Sequence, residues 1–591
     1  MDDAGKLQPL PAGKHVAPIS RGSSAYPRKR AVTACQVCRA RRTRCDQKKP
    51  ACSFCANIGA ECVFDISGPS TFDPASLAII DRLERLEQKL DAQAAQHSSG
   101  SSPYSQQSPL DAAACQPAAN TAQAAALPKN LDAVLAWPVF RSLGCPASPS
   151  SVISPQAAPS SRLPPLREPG LGIGDDLDAA SCGRWVDSFF CNVHTKNPVL
   201  DEERTRRLVR NMCIEGPGYD SSSCLALLVC ANGALNRPFE APSIPYQDLG
   251  ASEAMSIFAL AQKRLGHVLV ATGLVEAQCA LFTGVFLMSI LRPADAWRMF
   301  LHGLAICQSF PSIRNPVSFA DEARRTADVV AEESIHWSCW KSEHEVRLEL
   351  DRSNVGNLAY DPPRLFPSPP TGCDERAWYF YLSEISLWRL QAGAEQEMIA
   401  MMQESLRTSK TSTNNAGMNI LGPLRELAER MEEQMSAWRR SLPPSLAMPN
   451  NDTPATAEED DVLFFCLRGR CVYIQELVTW PFLHAMINEG VDTPAIREGV
   501  VRGLRAHLDR MIVYSTGYYH RHHGTWLSLR SSTKSACILL AFSRLPAAQQ
   551  LMPDGWEKRV RAVMEMMIHY RDEAPGMDQA VQVAQYLLSL P

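Results

Sequence analysis

CQVCRARRTRCDQKKPACSFCANIGAEC, residues 35–62, packs six cysteines into 28 residues at the spacing Cys35-x2-Cys38-x6-Cys45 and again Cys52-x2-Cys55-x6-Cys62. A C-x2-C pair that opens a short helix places two thiolates on one tetrahedral zinc, and the cysteine six residues later returns to the same metal once the helix has ended. Each half supplies three sulfurs. Two four-coordinate zinc ions need eight sulfur bonds, so two thiolates must bridge, and the symmetric solution bridges through the first cysteine of each half, Cys35 and Cys52. Six thiolates on two divalent ions leave the cluster at about −2, which nearby Arg and Lys can offset. Between Cys35 and Cys62 the large apolar residues are Val37, Phe54 and Ile58, too few to hold a fold without metal. The alternative, six unrelated buried thiols, would have to satisfy every spacing by accident.

The same stretch is strongly basic. From Arg21 to Cys62 ten Lys and Arg face only Asp46 and Glu61, so this segment carries +8 while the net charge of −4 leaves −12 on the remainder. A basic island on an acidic body suits a polyanion-binding head joined to a part that does not bind polyanions. Arg39, Arg41, Arg42 and Arg44 all lie in the first six-residue spacer. On a helix starting near Cys35, Arg41 and Arg42 fall near its C-terminal end, where their forked guanidinium groups match the O6 and N7 acceptors of guanine in the major groove of double-stranded DNA. Arg39, Arg44, Lys48 and Lys49 are then placed to contact phosphates. A lesser alternative is that these arginines only neutralise the cluster or serve nuclear import.

With these residues in place, the segment resembles the DNA-binding domain of the fungal zinc binuclear-cluster transcription factors. The resemblance covers every cysteine, the paired Arg41 and Arg42, and the Lys49-Pro50 step in the loop joining the halves. It implies a nuclear, sequence-specific regulator of RNA polymerase II genes that works with the transcription machinery. Arg41 and Arg42 would read CGG-type triplets, and Cys35 and Cys52 would bridge the zinc ions.

Outward from the cluster the chain reads in five parts. Residues 1–30 are polar, end in Arg28-Lys29-Arg30 and are expected to be disordered. Residues 31–66 form the zinc-cluster domain. Residues 75–94 have helix-forming composition after Asp73-Pro74 and can be written as heptads whose seam is Ile79, Leu83, Leu86 and Leu90, a parallel homodimer helix of about two and a half heptads. The alternative there is a lone amphipathic helix folded onto the rest of the chain. Residues 95–170, rich in Ser, Ala, Pro and Gln, read as a disordered linker. Residues 171–591 are helical in pattern almost throughout. Leu424, Leu427, Met431, Met435 and Trp438 share one helix face, and breaks fall at joints such as Leu442-Pro443-Pro444. The fold class is therefore mainly α: a small zinc binuclear-cluster domain, a short coiled-coil helix, a disordered linker and a large all-α regulatory domain.

The N-terminus carries no secretory pattern, and the most apolar stretch, Cys279 to Leu291, is too short to span a bilayer, so neither a membrane nor disulfides are expected. The large domain resembles the family's middle-homology regulatory region at Trp185–Phe190, His194–Leu200, Val275–Gln308 and His336–Lys341, which leaves room for a small-molecule effector. It holds no phosphate-binding glycine loop and no Gly-x-Ser-x-Gly. His344-Glu345 lacks the second histidine of a zinc-protease helix, since Leu348 occupies that position. His520, His522 and His523 have no nearby cysteine or carboxylate to complete a metal set. Cys466 and Cys471 read as buried thiols. The acidic run Glu458–Asp461 reads better as the first turn of a helix capped by Thr456 than as an activating segment. An enzyme is not expected.

Overall fold

Every regular element among the described residues is helical, because the apolar residues recur at threes and fours and Asp or Thr repeatedly stands where a helix must start. The computed structural model describes residues 35, 37–38, 41, 43–62, 129–145, 177–239, 251–314, 326–352, 363, 366–367, 374–411, 420–448, 462–574 and 577–590, with the main chain alone at 251 and 405–411. The chain divides into two units, Met1–Ser108 and Pro109–Pro591.

The N-terminal unit contains α1 (Ser53–Ile58). The second unit opens with two short helices, α2 (Leu131–Leu135) and α3 (Pro138–Ser142). Then follow α4 (Ala179–Asn192), α5 (Glu202–Glu215), α6 (Ser221–Leu235), α7 (Ala251–Gln262), α8 (Leu265–Val270), α9 (Leu274–Ser289), α10 (Pro293–Cys307) and α11 (Pro311–Arg314). Its second half holds α12 (Ala327–Glu349), α13 (Glu375–Thr411), α14 (Leu421–Ser441), α15 (Val462–Glu489), α16 (Pro494–Tyr514), α17 (Thr525–Ser543), α18 (Trp556–Tyr570) and α19 (Met577–Ser589).

Capping follows the sequence. The side chains of Asp178, Asp201, Asp220, Thr326 and Thr493 accept from backbone N–H groups in the first turns of α4, α5, α6, α12 and α16. Helices α6 and α9 are largely apolar all round and are buried on every side, α6 from Cys224 to Gly233 and α9 from Ala277 to Ser289. The apolar stretch beginning at Cys279, too short to span a bilayer, is thus a buried helix as far as Ser289. Gly233 lets α6 approach α4 backbone to backbone, since a Cβ there would sit 1.8 Å from the Trp185 carbonyl oxygen. Along α14 the buried face is Leu424, Leu427, Ala428, Met431 and Met435, while the half-buried Trp438 donates its Nε1–H to Ser386 at 2.7 Å. The chain leaves α14 at Leu442-Pro443, as the proline joint requires.

One expectation is corrected. Residues 129–145, inside the stretch read as a disordered linker, form α2 and α3 and belong to the helical core. Asn130 caps α2 through Ala133 N–H at 2.9 Å, and Leu131, Val134, Leu135, Trp137 and Phe140 are buried. Trp137 meets Trp480 at 5.7 Å between ring centroids, and Asp132 pairs with Arg530 at 2.8 Å. Five apolar residues at helical spacing, all covered by partners hundreds of positions away, outweigh the tether-like composition around them. Residues 75–94, including Ile79, Leu83, Leu86 and Leu90, lie outside the described residues, as do Thr456 and Glu458–Asp461.

The second half of the core also holds charge. Glu476 on α15 is buried and accepts from Arg510 Nε at 2.8 Å and Lys534 Nζ at 3.1 Å. Burial alone would raise its carboxyl, but Arg510 and Lys534 beside it hold it at about 2. A depressed carboxyl contributes stability above its unfolded value, and that contribution is lost as pH falls toward 2. Glu476→Gln leaves two buried cations without their counter-charge. It should lower unfolding stability by about 3–5 kcal/mol at neutral pH and flatten the acid limb of a urea-denaturation series. A variant as stable as the parent would remove this pair from the core's account.

Candidate metal centre

Two helical turns present the sulfurs. In the first half Arg41 N–H donates to the Val37 carbonyl and Thr43 N–H to the Cys38 carbonyl, each at 3.0 Å. In the second half Cys52 caps α1, with Cys55 N–H donating to its sulfur at 3.4 Å. Gly59 ends α1 at a φ of 65°, a left-handed turn that suits glycine and brings the chain back so that Cys52 N–H reaches the Cys62 sulfur at 3.3 Å.

These turns gather all six cysteines. The sulfurs of Cys35, Cys38, Cys45 and Cys52 lie within 4.8 Å of one another, and so do those of Cys35, Cys52, Cys55 and Cys62. The two groups share Cys35 and Cys52, the residues the sulfur count singles out. The separations Cys35–Cys52, Cys35–Cys55 and Cys38–Cys52 are 3.7, 3.6 and 3.6 Å. Sulfurs about 2.3 Å from a tetrahedral zinc stand about 3.8 Å apart, so the donor set fits zinc in both chemistry and size. Backbone N–H donation from Cys38 lowers the Cys35 thiol and donation from Cys55 lowers the Cys52 thiol, while burial pushes Cys38 up to about 12 and raises Cys55. Cys35, Cys38, Cys52 and Cys55 are fully buried, Cys45 and Cys62 partly, and among the described residues Val37 and Phe54 are the apolar neighbours that pack beside them. Ile58, the third apolar candidate, is exposed. No other group of three His, Cys, Asp or Glu ligand atoms converges among the described residues, the histidines at 520, 522 and 523 included. Those histidines lie between Gly517 and α17, in a turn rather than on a helix.

Of the six basic residues, Arg41, Arg44, Lys48 and Lys49 are exposed; Arg39 and Arg42 lie outside the described residues. The peptide bond Lys49–Pro50 is cis. Sequence reading missed Asp46, which it counted only as an opposing charge. Its carboxylate accepts from Ser53 Oγ and from Ser53 N–H at 2.9 Å, joining the first half to the first turn of α1. These bonds lower its carboxyl, and Lys48 lies 3.8 Å away. The signal was present in principle, an acid paired with a serine at a helix start, but their separation of seven residues hid it.

Residues 33–70 match the model of the fungal Zn(2)-Cys(6) binuclear cluster domain. Over 505 residues, 80% of this chain and 82% of the relative, it is 23% identical to "Putative transcription factor ecdB" of Aspergillus rugulosus. Over 72 residues it is 40% identical to "Oleate-activated transcription factor 1" of Saccharomyces cerevisiae, 12% of this chain and 7% of that protein. A 60-residue match at 42% identity to an uncharacterized transcriptional regulatory protein of Schizosaccharomyces pombe covers 10% of this chain and 8% of that one. Both yeast matches therefore span less than a tenth of their proteins. No solved structure matches the chain significantly. The domain matched and the relatives named belong to transcription factors, which are not enzymes. No helix among the described residues is long and apolar enough to cross a membrane.

The Asp46–Ser53 link can be tested with metal. Asp46→Ala should let a chelator strip zinc from the protein at lower concentration than the parent requires, and Lys48→Ala should leave that midpoint in place. An unchanged midpoint for Asp46→Ala would show that the link does not hold the halves together.

Proposed function

From a chain that carries a fungal Zn(2)-Cys(6) cluster and regulates transcription by binding DNA, we propose a nuclear, sequence-specific regulator of RNA polymerase II genes that reads CGG-type triplets in the major groove. The observation that carries this reading is the pair of four-sulfur groups sharing Cys35 and Cys52, beside a spacer whose Arg41 and Arg44 are exposed. Cys35, Cys38, Cys45, Cys52, Cys55 and Cys62 hold two zinc ions, with Cys35 and Cys52 bonded to both. The metal supplies the cross-link that a cluster with almost no apolar core lacks.

The zinc-held turn fixes Arg41 and Arg42 so that their guanidinium forks reach guanine edges. Arg39, Arg44, Lys48 and Lys49 position the duplex through its phosphates. One cluster reads few base pairs, so binding as a homodimer through Ile79, Leu83, Leu86 and Leu90 joins two triplets and raises selectivity. The helical unit is the regulatory domain, open to a small-molecule effector, and acts through the transcription machinery.

The test is a binding titration of the full-length protein on duplexes carrying two, one or no CGG triplets across a salt series. Arg41→Ala should cost about 1–3 kcal/mol on the two-triplet duplex and little on random DNA. Lys48→Ala should weaken all duplexes alike and reduce the salt slope. Leu83→Glu with Leu86→Glu should remove only the advantage of two triplets over one. If Arg41→Ala leaves the ratio of specific to random binding unchanged, the base-reading assignment is wrong. If one triplet binds as tightly as two, the homodimer is.

A further inference from the structure

A cavity of about 350 Å³ lies inside the helical unit, within the size range of small-molecule sites. Its walls come from Lys129 and Asn130 before α2, from the last turns of α12, from α13, α15, α16 and α17, and from the His522–Gly524 turn, and it opens where Leu348 and Asp351 are exposed. Trp388, Phe465, Tyr473 and Tyr514 give it flat apolar faces. Phe465 stacks on Tyr514 at 4.9 Å and meets the edge of His522 at 5.7 Å, and Arg470 lies 3.8 Å over Trp388.

The charges around it do not cancel evenly. Glu345 is paired with Arg470, Glu384 with Lys341, and Glu349 shares Arg530 with Asp132. Glu395, its carboxyl raised by burial, accepts from Gln391 Nε2 and faces Lys129, which also lines the cavity. Arg510 and Lys534, both lining the cavity, share the single carboxylate of Glu476. His507, buried at the same carboxylate, adds no charge near neutrality, because burial pushes it down to about 4. The Arg510–Lys534–Glu476 group therefore holds one cation more than it neutralises.

Hydrogen-bond donors are left over on residues that line the cavity. Trp388 Nε1, Arg510 Nη2 and His522 Nε2 are buried with no partner, on side chains no more than 2% exposed. His522 Nδ1 accepts from Gly524 N–H at 3.0 Å, so the ring proton sits on Nε2 and that nitrogen is a donor. Gln391 Oε1 is an acceptor in the same condition. Buried polar groups are nearly always paired, and three unpaired donors beside an uncancelled cation at one cavity point to an acceptor-rich occupant.

We propose that this cavity binds a small organic acid with a planar apolar body. Its carboxylate would face Arg510, Lys534 and the N–H groups of Trp388 and His522, and its body would lie against Phe465 and Tyr514. The inference rests on the regulatory reading of the helical unit for its consequence, but not for the binding itself.

The probes are benzoate and phenylacetate, with benzamide and phenylacetamide as uncharged counterparts, each at millimolar concentration with the full-length, zinc-loaded protein. At least one carboxylate should raise the melting temperature of the helical signal by roughly 2 °C or more, with no rise from its amide. Trp388→Phe, which keeps a ring and removes the N–H, should weaken that response. Ser531→Phe, which fills the cavity from α17, should abolish it and decides the matter if Trp388→Phe folds poorly. No rise with either carboxylate, an equal rise with the amides, or a response that survives Ser531→Phe overturns the site. Binding of the same preparations to two-triplet DNA is read separately. A silent cavity with intact specific binding rejects the cavity alone, and a responding cavity without specific binding rejects the DNA-reading proposal alone.

Discussion

The sharing of two sulfurs between two four-sulfur groups is the constraint on which the N-terminal unit depends. Among the described residues between Cys35 and Cys62 the buried core is sulfur, edged by Val37 and Phe54. Hydrophobic burial on that scale cannot offset the entropy of ordering about thirty residues. Once deprotonated to bind metal, four sulfurs at 3.6–3.7 Å repel one another unless a shared counter-charge holds them. The backbone follows from it: the Arg41–Val37 and Thr43–Cys38 hydrogen bonds and the capped, glycine-terminated α1 bring each C-x2-C pair and its distant partner together. The exposed basic side chains are then carried on a frame whose rigidity comes from metal rather than packing.

The helical unit solves the opposite problem. Its core is large and apolar, built on the buried helices α6 and α9, and it holds charge inside where buried ions such as Arg530 and Glu476 find partners on neighbouring helices. Arg530 ties Asp132 of α2 to Glu349 of α12, and Glu476 ties α15 to both α16 and α17. Such pairs add little net stability over an apolar equivalent, but breaking one strands a charge. They concentrate around the same cavity, where an apolar core would have left no polar recognition surface.

How much of this was legible in sequence depended on the range of the interaction. The cysteine spacing carried the metal centre because its partners lie within 28 residues. Helix periodicity carried the all-α class and the buried face of α14, since both are local properties. The helices α2 and α3 were hidden by alanine, serine and proline on either side, and their partners Trp480 and Arg530 stand hundreds of residues away. The cavity was illegible for the same reason. Glu384, Trp388, Gln391 and Glu395 do repeat at fours and threes along α13, but nothing local says that Arg510 and His522 face them.

Zinc X-ray absorption on the full-length protein tests the central claim most directly, because it reports what the metal touches. The shared-sulfur account predicts sulfur alone in the coordination sphere, at about 2.3 Å, with a second metal as a scatterer near about 3 Å. Nitrogen or oxygen ligands, or zinc with no metal neighbour, would contradict it.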